Sequence, residues 1–140
     1  MADIHIDDFY KDAARTLVQL YNAFPRKIAV YVEDISGPDT PDEFGLPSPR
    51  HQACFAAMLW LAEEGYLRYM DTIRQEAIDQ AVLTHKAFVL LSAPSGNGSS
   101  NPEVPPSVAR ERQSNIYRLR QALASGASNS IREALLDLLS

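Results

Sequence analysis

The chain has 140 residues, 46% hydrophobic and 22% charged, a globular composition able to bury one sizeable core with a modest appendage. Its longest uninterrupted apolar run, Ala53 to Ala62, falls well short of the about 20 residues a membrane-spanning helix needs. The net charge of −5 is uneven: residues 1–93 hold eight Lys and Arg against fourteen Asp and Glu, so that region repels phosphate and lacks the attraction that drives generic nucleic-acid binding.

Met1 to Asp8 is acidic where a secretory leader carries positive charge followed by an apolar stretch, so a cytoplasmic protein is expected. A first helix is predicted from Asp8 to Phe24, because Phe9, Ala13, Leu17, Leu20, Tyr21 and Phe24 recur on one face, with Asp7 or Asp8 as its cap. Lys27 to Asp34 follows as a short strand, with Ile28, Val30 and Val32 on one side. Glycine and proline punctuate Ser36 to Pro49 so densely that one helical turn, near Pro41 to Phe44, is the most that fits.

Ser48 and Pro49 form an N-cap with proline at the first helical position. The series Cys54, Phe55, Met58, Leu59, Leu61 and Ala62 then extends a central helix to Gly65. Tyr66 to Ile73 and Ala77 to Leu83 read as a hairpin turning at Arg74, Gln75 and Glu76, and Thr84 caps a helix from His85 to Leu91. Residues 93–106 have the composition of a flexible linker. Beyond it, Ile116, Leu119 and Leu123 stripe one helix, Gly126 breaks the chain, and a last helix carries Ile131, Leu135, Leu136, Leu138 and Leu139, with Ser130 and Glu133 at capping-box spacing. This helical hairpin over residues 107–140 is too small to stand alone, so it must pack on the main domain, a second copy or a partner.

Catalytic and metal chemistry find no constellation. His51 and Cys54 share a helix face at the spacing of a base and a thiol, yet no third group or oxyanion donor accompanies them, and a buried structural cysteine is the expectation. His5, His51, His85 and the single cysteine match no ligand spacing. Gly96, Asn97 and Gly98 lack the lysine and preceding strand of a phosphate loop. No enzyme, cofactor or metal is expected.

The order helix, short strand, helical turn, longer helix, hairpin and threonine-capped helix, spanning about Asp8 to Ser92, resembles a winged helix-turn-helix domain, a fold shared by many bacterial transcription regulators. The likeness is carried by Leu59, Leu61, Glu64, Gly65, Tyr66 and Leu67, and later by Leu83, Thr84, Lys86, Ala87 and Leu91. These are similar to the junctions flanking the wing in regulators of the multiple-antibiotic-resistance class, where a glycine often stands in the place of Ala87.

The resemblance implies an α+β, mostly helical fold: a winged-helix-type domain over residues 1–92 with a small β-hairpin wing, followed by the linker and the C-terminal helical hairpin for docking or dimerisation. It also implies that Pro47 to Glu64 holds the recognition-helix position, with Arg50, His51 and Gln52 facing base edges and Arg74 at the wing tip. Against this, Ala53 to Ala62 carries no charge on any face, and such a helix is normally covered on all sides. Ala56, Ala57 and Trp60 would need cover from the C-terminal hairpin or another subunit. Two expectations follow: a dimeric DNA-binding regulator, or a protein-interaction adaptor of the same shape. In either, Trp60, Ile116, Leu119, Leu123, Leu135 and Leu139 are the candidate interface residues.

Overall fold

Helix α1 (Ile4–Ala23) is the element on which most of the others rest. In this computed structural model, which describes residues 4–94 and 114–139, α1 buries Asp12, Ala13, Ala14, Thr16, Leu17, Leu20 and Ala23. Their three- and four-residue spacing makes a stripe that is contacted by helices from both ends of the chain. The helix begins a turn earlier than expected. The hydroxyl of Thr16 donates to the Asp12 carbonyl at 2.8 Å, so the polar atom on the buried stripe is satisfied within the helix.

Strand β1 (Ile28–Tyr31) ends sooner than its pattern suggests, and α2 (Val32–Ser36) takes over. Val32 and Ile35 lie three residues apart and are both buried, so a helical turn covers them better than continued strand would. The Val32 amide is held by the Glu76 carbonyl at 2.8 Å. The single helical turn of this region therefore lies here, and Pro41 to Phe44 forms a side-chain-bonded turn instead: the Asp42 carboxylate accepts from the amides of Phe44 and Leu46.

Helix α3 (Pro49–Glu63) starts at the Ser48 cap, whose hydroxyl accepts from the His51 amide, with proline at the first position. Past Gly65, at φ 83, the chain forms β2 (Leu67–Arg68), β3 (Asp71–Ile73) and β4 (Ala77–Leu83). The pairings Leu67 with Leu83 and Ile73 with Ala77 belong to one unbroken register, so β2 and β3 are two parts of one hairpin arm. The arm is interrupted opposite Gln80, which adopts φ 50. On the other edge of β4 the register to β1 shifts by one between Ile28 and Val30, so Gln80 is the extra residue of a bulge. The antiparallel sheet thus has β4 at its centre, with β1 on one side and the hairpin arm on the other.

Thr84 caps α4 (His85–Ser92) by accepting from Ala87, and its hydroxyl also donates to the Gly65 carbonyl at 2.7 Å, which ties the start of α4 to the end of α3. The chain leaves the described region at Pro94 and re-enters at Ser114, and these two residues pair as an antiparallel bridge. Most of the expected linker over residues 93–106 lies outside the described residues. Helix α5 (Asn115–Ser125) is capped by Ser114 and closed by Gly126 at φ 71. Helix α6 (Ser128–Leu139) begins before Ser130, so Ser130 sits inside the first turn and cannot serve as the N-cap of a capping box.

Helices α5 and α6 pack on each other and on α1, and α5 also meets α4. Leu17, Leu61, Leu67, Ile78, Leu91, Leu119 and Leu135 are all at most 1% exposed and belong to a single core drawn from both halves of the chain. Each such side chain contributes roughly 1.5–3 kcal/mol by its removal from water.

Candidate functional site

The loop before α3 is built on two aspartates. Asp42 organises its own turn, and Asp39 accepts from the Ser48 amide at 3.0 Å and from the Ser48 hydroxyl. These bonds from Ser48 hold the Asp39 carboxyl below its ordinary range. Asp39, Ser48 and the His51 amide therefore form one connected chain at the N-terminus of α3, where the helix dipole also favours negative charge.

Arg50 is the second residue of α3, and its direction is opposite to the expected one. Two of its guanidinium nitrogens fork onto the carboxylate of Asp12 at 2.6 and 2.7 Å, and the third approaches Asp8 at 3.5 Å. Asp12 is 1% exposed. The bidentate bond raises the Arg50 pKa, and the side chain is committed to α1 rather than presented to a groove. His51 is likewise buried, at 6% exposure, and its Nε2 donates to the Gln75 carbonyl at 2.7 Å, which latches the hairpin turn onto α3. Arg50 is thus held to α1, where the buried Asp12 carboxylate requires a donor, and His51 to the hairpin turn, instead of both facing outward from the first turn of α3 as expected. Gln52 is exposed, with its amide nitrogen on the Pro47 carbonyl, and Arg74 is exposed at the hairpin turn with φ 51.

Asp12 and Asp39 were not singled out by sequence reasoning. For Asp12 a signal existed: it stands directly before Ala13 within the apolar series of α1, and a charge on a buried stripe demands a partner elsewhere in the chain.

The residues expected to form an intermolecular interface are used inside the chain. Ile116, Leu119 and Leu135 are buried against the shared core, and Leu123 and Leu139 pack against it partly buried. Trp60 is half-buried, edge-on to Phe9 with ring centroids 5.1 Å apart, and 6.4 Å from the ring of Tyr66. Helices α1 and α2 pack against α3 and the C-terminal helices do not cover it: Ala57 is buried and Trp60 half-buried, but Ala53 and Ala56 are exposed, so α3 is not covered on all sides.

Cys54 is fully buried, and burial pushes its thiol up to about 12, with the Asp12 carboxylate adding to the rise. It is a neutral thiol at physiological pH and is unsuited to nucleophilic work. Among the described residues no group of three or more His, Cys, Asp and Glu converges on a metal position, and no helix is long and apolar enough to cross a membrane.

A cavity of about 330 Å³ opens between the start of α2, the loop before α3 and the hairpin turn. It is lined by Tyr31, Glu33, Asp39, His51 and Glu76, with backbone and proline surfaces from Pro41, Gly45 and Pro47. His51 is one of these lining residues, and its buried Nδ1 atom has no hydrogen-bond partner among the described residues and lies 3.9 Å from an oxygen of Asp39. No protein-family model, curated protein or solved structure matches this chain.

Proposed function

We propose that this chain is a winged-helix-type binding module without catalytic activity, and that it engages another protein rather than duplex DNA. The order α1, β1, α2, α3, hairpin, α4, with β1 paired to the last hairpin strand, supports the winged-helix part of this reading. The observation that carries the choice of partner is the fork of Arg50 onto Asp12. It ties to α1 the cation best suited to guanine at the recognition-helix position, on a chain already acidic overall. Phe44 and Leu46, 79% and 58% exposed in the loop before α3, offer apolar contact of the kind protein interfaces use.

Fluorescence anisotropy against a pool of genomic fragments, at about 50 and 200 mM salt, tests the choice. No retention is expected at either salt. Retention of selected fragments, lost in Arg74→Ala or Gln52→Ala, would overturn the protein-contact reading and restore the regulator one through those two exposed residues. A partner recovered by affinity purification should be lost with the Phe44→Ser, Leu46→Ser double variant while its melting temperature stays at the wild-type value.

A further inference from the structure

The cavity at the start of α3 rests on a different observation from the protein-contact reading and survives its failure. Three carboxylates line it, from Glu33 on α2, Asp39 in the loop and Glu76 at the hairpin turn, and no lysine or arginine is among its lining residues. Like charges gathered around a concave, partly enclosed space attract a cation and reject an anion. Acidic residues alone would make only a solvated rim; the buried imidazole of His51 adds something more specific.

Its Nε2 faces the Gln75 carbonyl, which can only accept, so Nε2 carries the hydrogen. In the neutral ring Nδ1 is then a lone-pair acceptor, buried on a residue that lines the cavity and with no donor on it among the described residues. The Asp39 oxygen 3.9 Å away is a second acceptor, so neither satisfies the other. What the two require in common is a group rich in N–H donors.

We infer that this cavity binds a small organic cation bearing N–H groups, a primary alkylammonium or guanidinium compound. Its nitrogen donates to His51 Nδ1 and Asp39, while Glu33 and Glu76 balance its charge. The aromatic face of Tyr31, which is 42% exposed, suits the alkylammonium or guanidinium group as a cation–π surface. A bare metal ion is the poorer fit, because these donors do not converge within one coordination shell. An extended amine reaches carboxylates that lie apart, and the volume is at the lower end of the about 300–1,000 Å³ usual for small-molecule sites.

Titration of the full chain with agmatine and with putrescine, followed by calorimetry and by the imidazole 15N resonances of His51, tests this. Saturable binding that moves the Nδ1 resonance in the direction of an accepted hydrogen bond is expected. Glu76→Gln and Glu33→Gln, both at exposed positions, should each weaken it about three- to fivefold with folding unchanged. Tetramethylammonium, which has the charge but no N–H, should bind at least about tenfold more weakly. The inference is overturned by any one of three results: no saturation by either amine on a folded protein, equal binding of tetramethylammonium, or binding that leaves the His51 resonances in place.

Discussion

An ionised carboxylate at the position of Asp12 has to be matched, because removing it from water costs several kcal/mol that only a close, well-directed cation offsets. Arg50 is that cation. Arg50→Ala should therefore destabilise the fold by about 2–3 kcal/mol in urea unfolding, below the about 3–5 kcal/mol of fully buried pairs because the Arg50 side chain is one-third exposed. The double variant Asp12→Leu, Arg50→Met should recover most of that loss; a double variant as unstable as the single would show that the pair does more than neutralise itself. The two shifted acids predict opposite pH behaviour. Asp39, held low, contributes stability above its unfolded value near 3.8 that is lost as pH falls through its folded pKa. Cys54, raised from 9.0 to about 12, contributes fully below pH 9 and progressively less as pH rises through that window. Stability should thus fall more steeply between pH 9 and 11 in the wild type than in Cys54→Ala. Iodoacetamide at neutral pH should leave the folded thiol unmodified.

At the scale of elements, local chemistry explains the boundaries that the sequence made legible. Ser48 with Pro49, Thr84, and Gly126 act where their residue types predict, because a cap needs only the few residues around it. Thr84→Ala should cost about 1–2 kcal/mol by thermal or urea unfolding, since the hydroxyl serves both the α4 amide and the Gly65 carbonyl. Boundaries set by partners were not legible. The early end of β1 follows from Val32 and Ile35 turning together into the core, and the gap between β2 and β3 follows from the bulge at Gln80 on the opposite strand. The Ser130 capping box failed for a related reason: α6 starts at Ser128, before the position where that hydroxyl could cap.

The molecule as a whole is held by α1, which lends its buried residues to the sheet-bearing half and to the C-terminal helices alike. A stripe such as Ile116, Leu119 and Leu123 has the same pattern whether it docks within the chain or on a second copy. Here it docks within, closed by the bridge between Pro94 and Ser114. Leu135→Ala should accordingly cost about 2–5 kcal/mol of unfolding free energy, as a truncation in a filled core does. Leu119→Ser should lower the melting temperature of the chain itself. If it instead converted a dimer into an equally stable folded monomer by sedimentation, the intramolecular packing would lose its energetic role.

By itself the sequence determined most of the element types and their order, the caps at Ser48, Thr84 and Gly126, and the buried fate of Cys54, because periodicity, capping and burial are properties of short stretches of chain. Which way Arg50 and His51 point was decided only in three dimensions. Both residues look like surface groups at the start of a helix, and what captures them is distant in the chain: a carboxylate 38 residues earlier and a carbonyl 24 residues later. A buried charge and a buried donor go where their partners are, and no local pattern records where the fold will bring those partners.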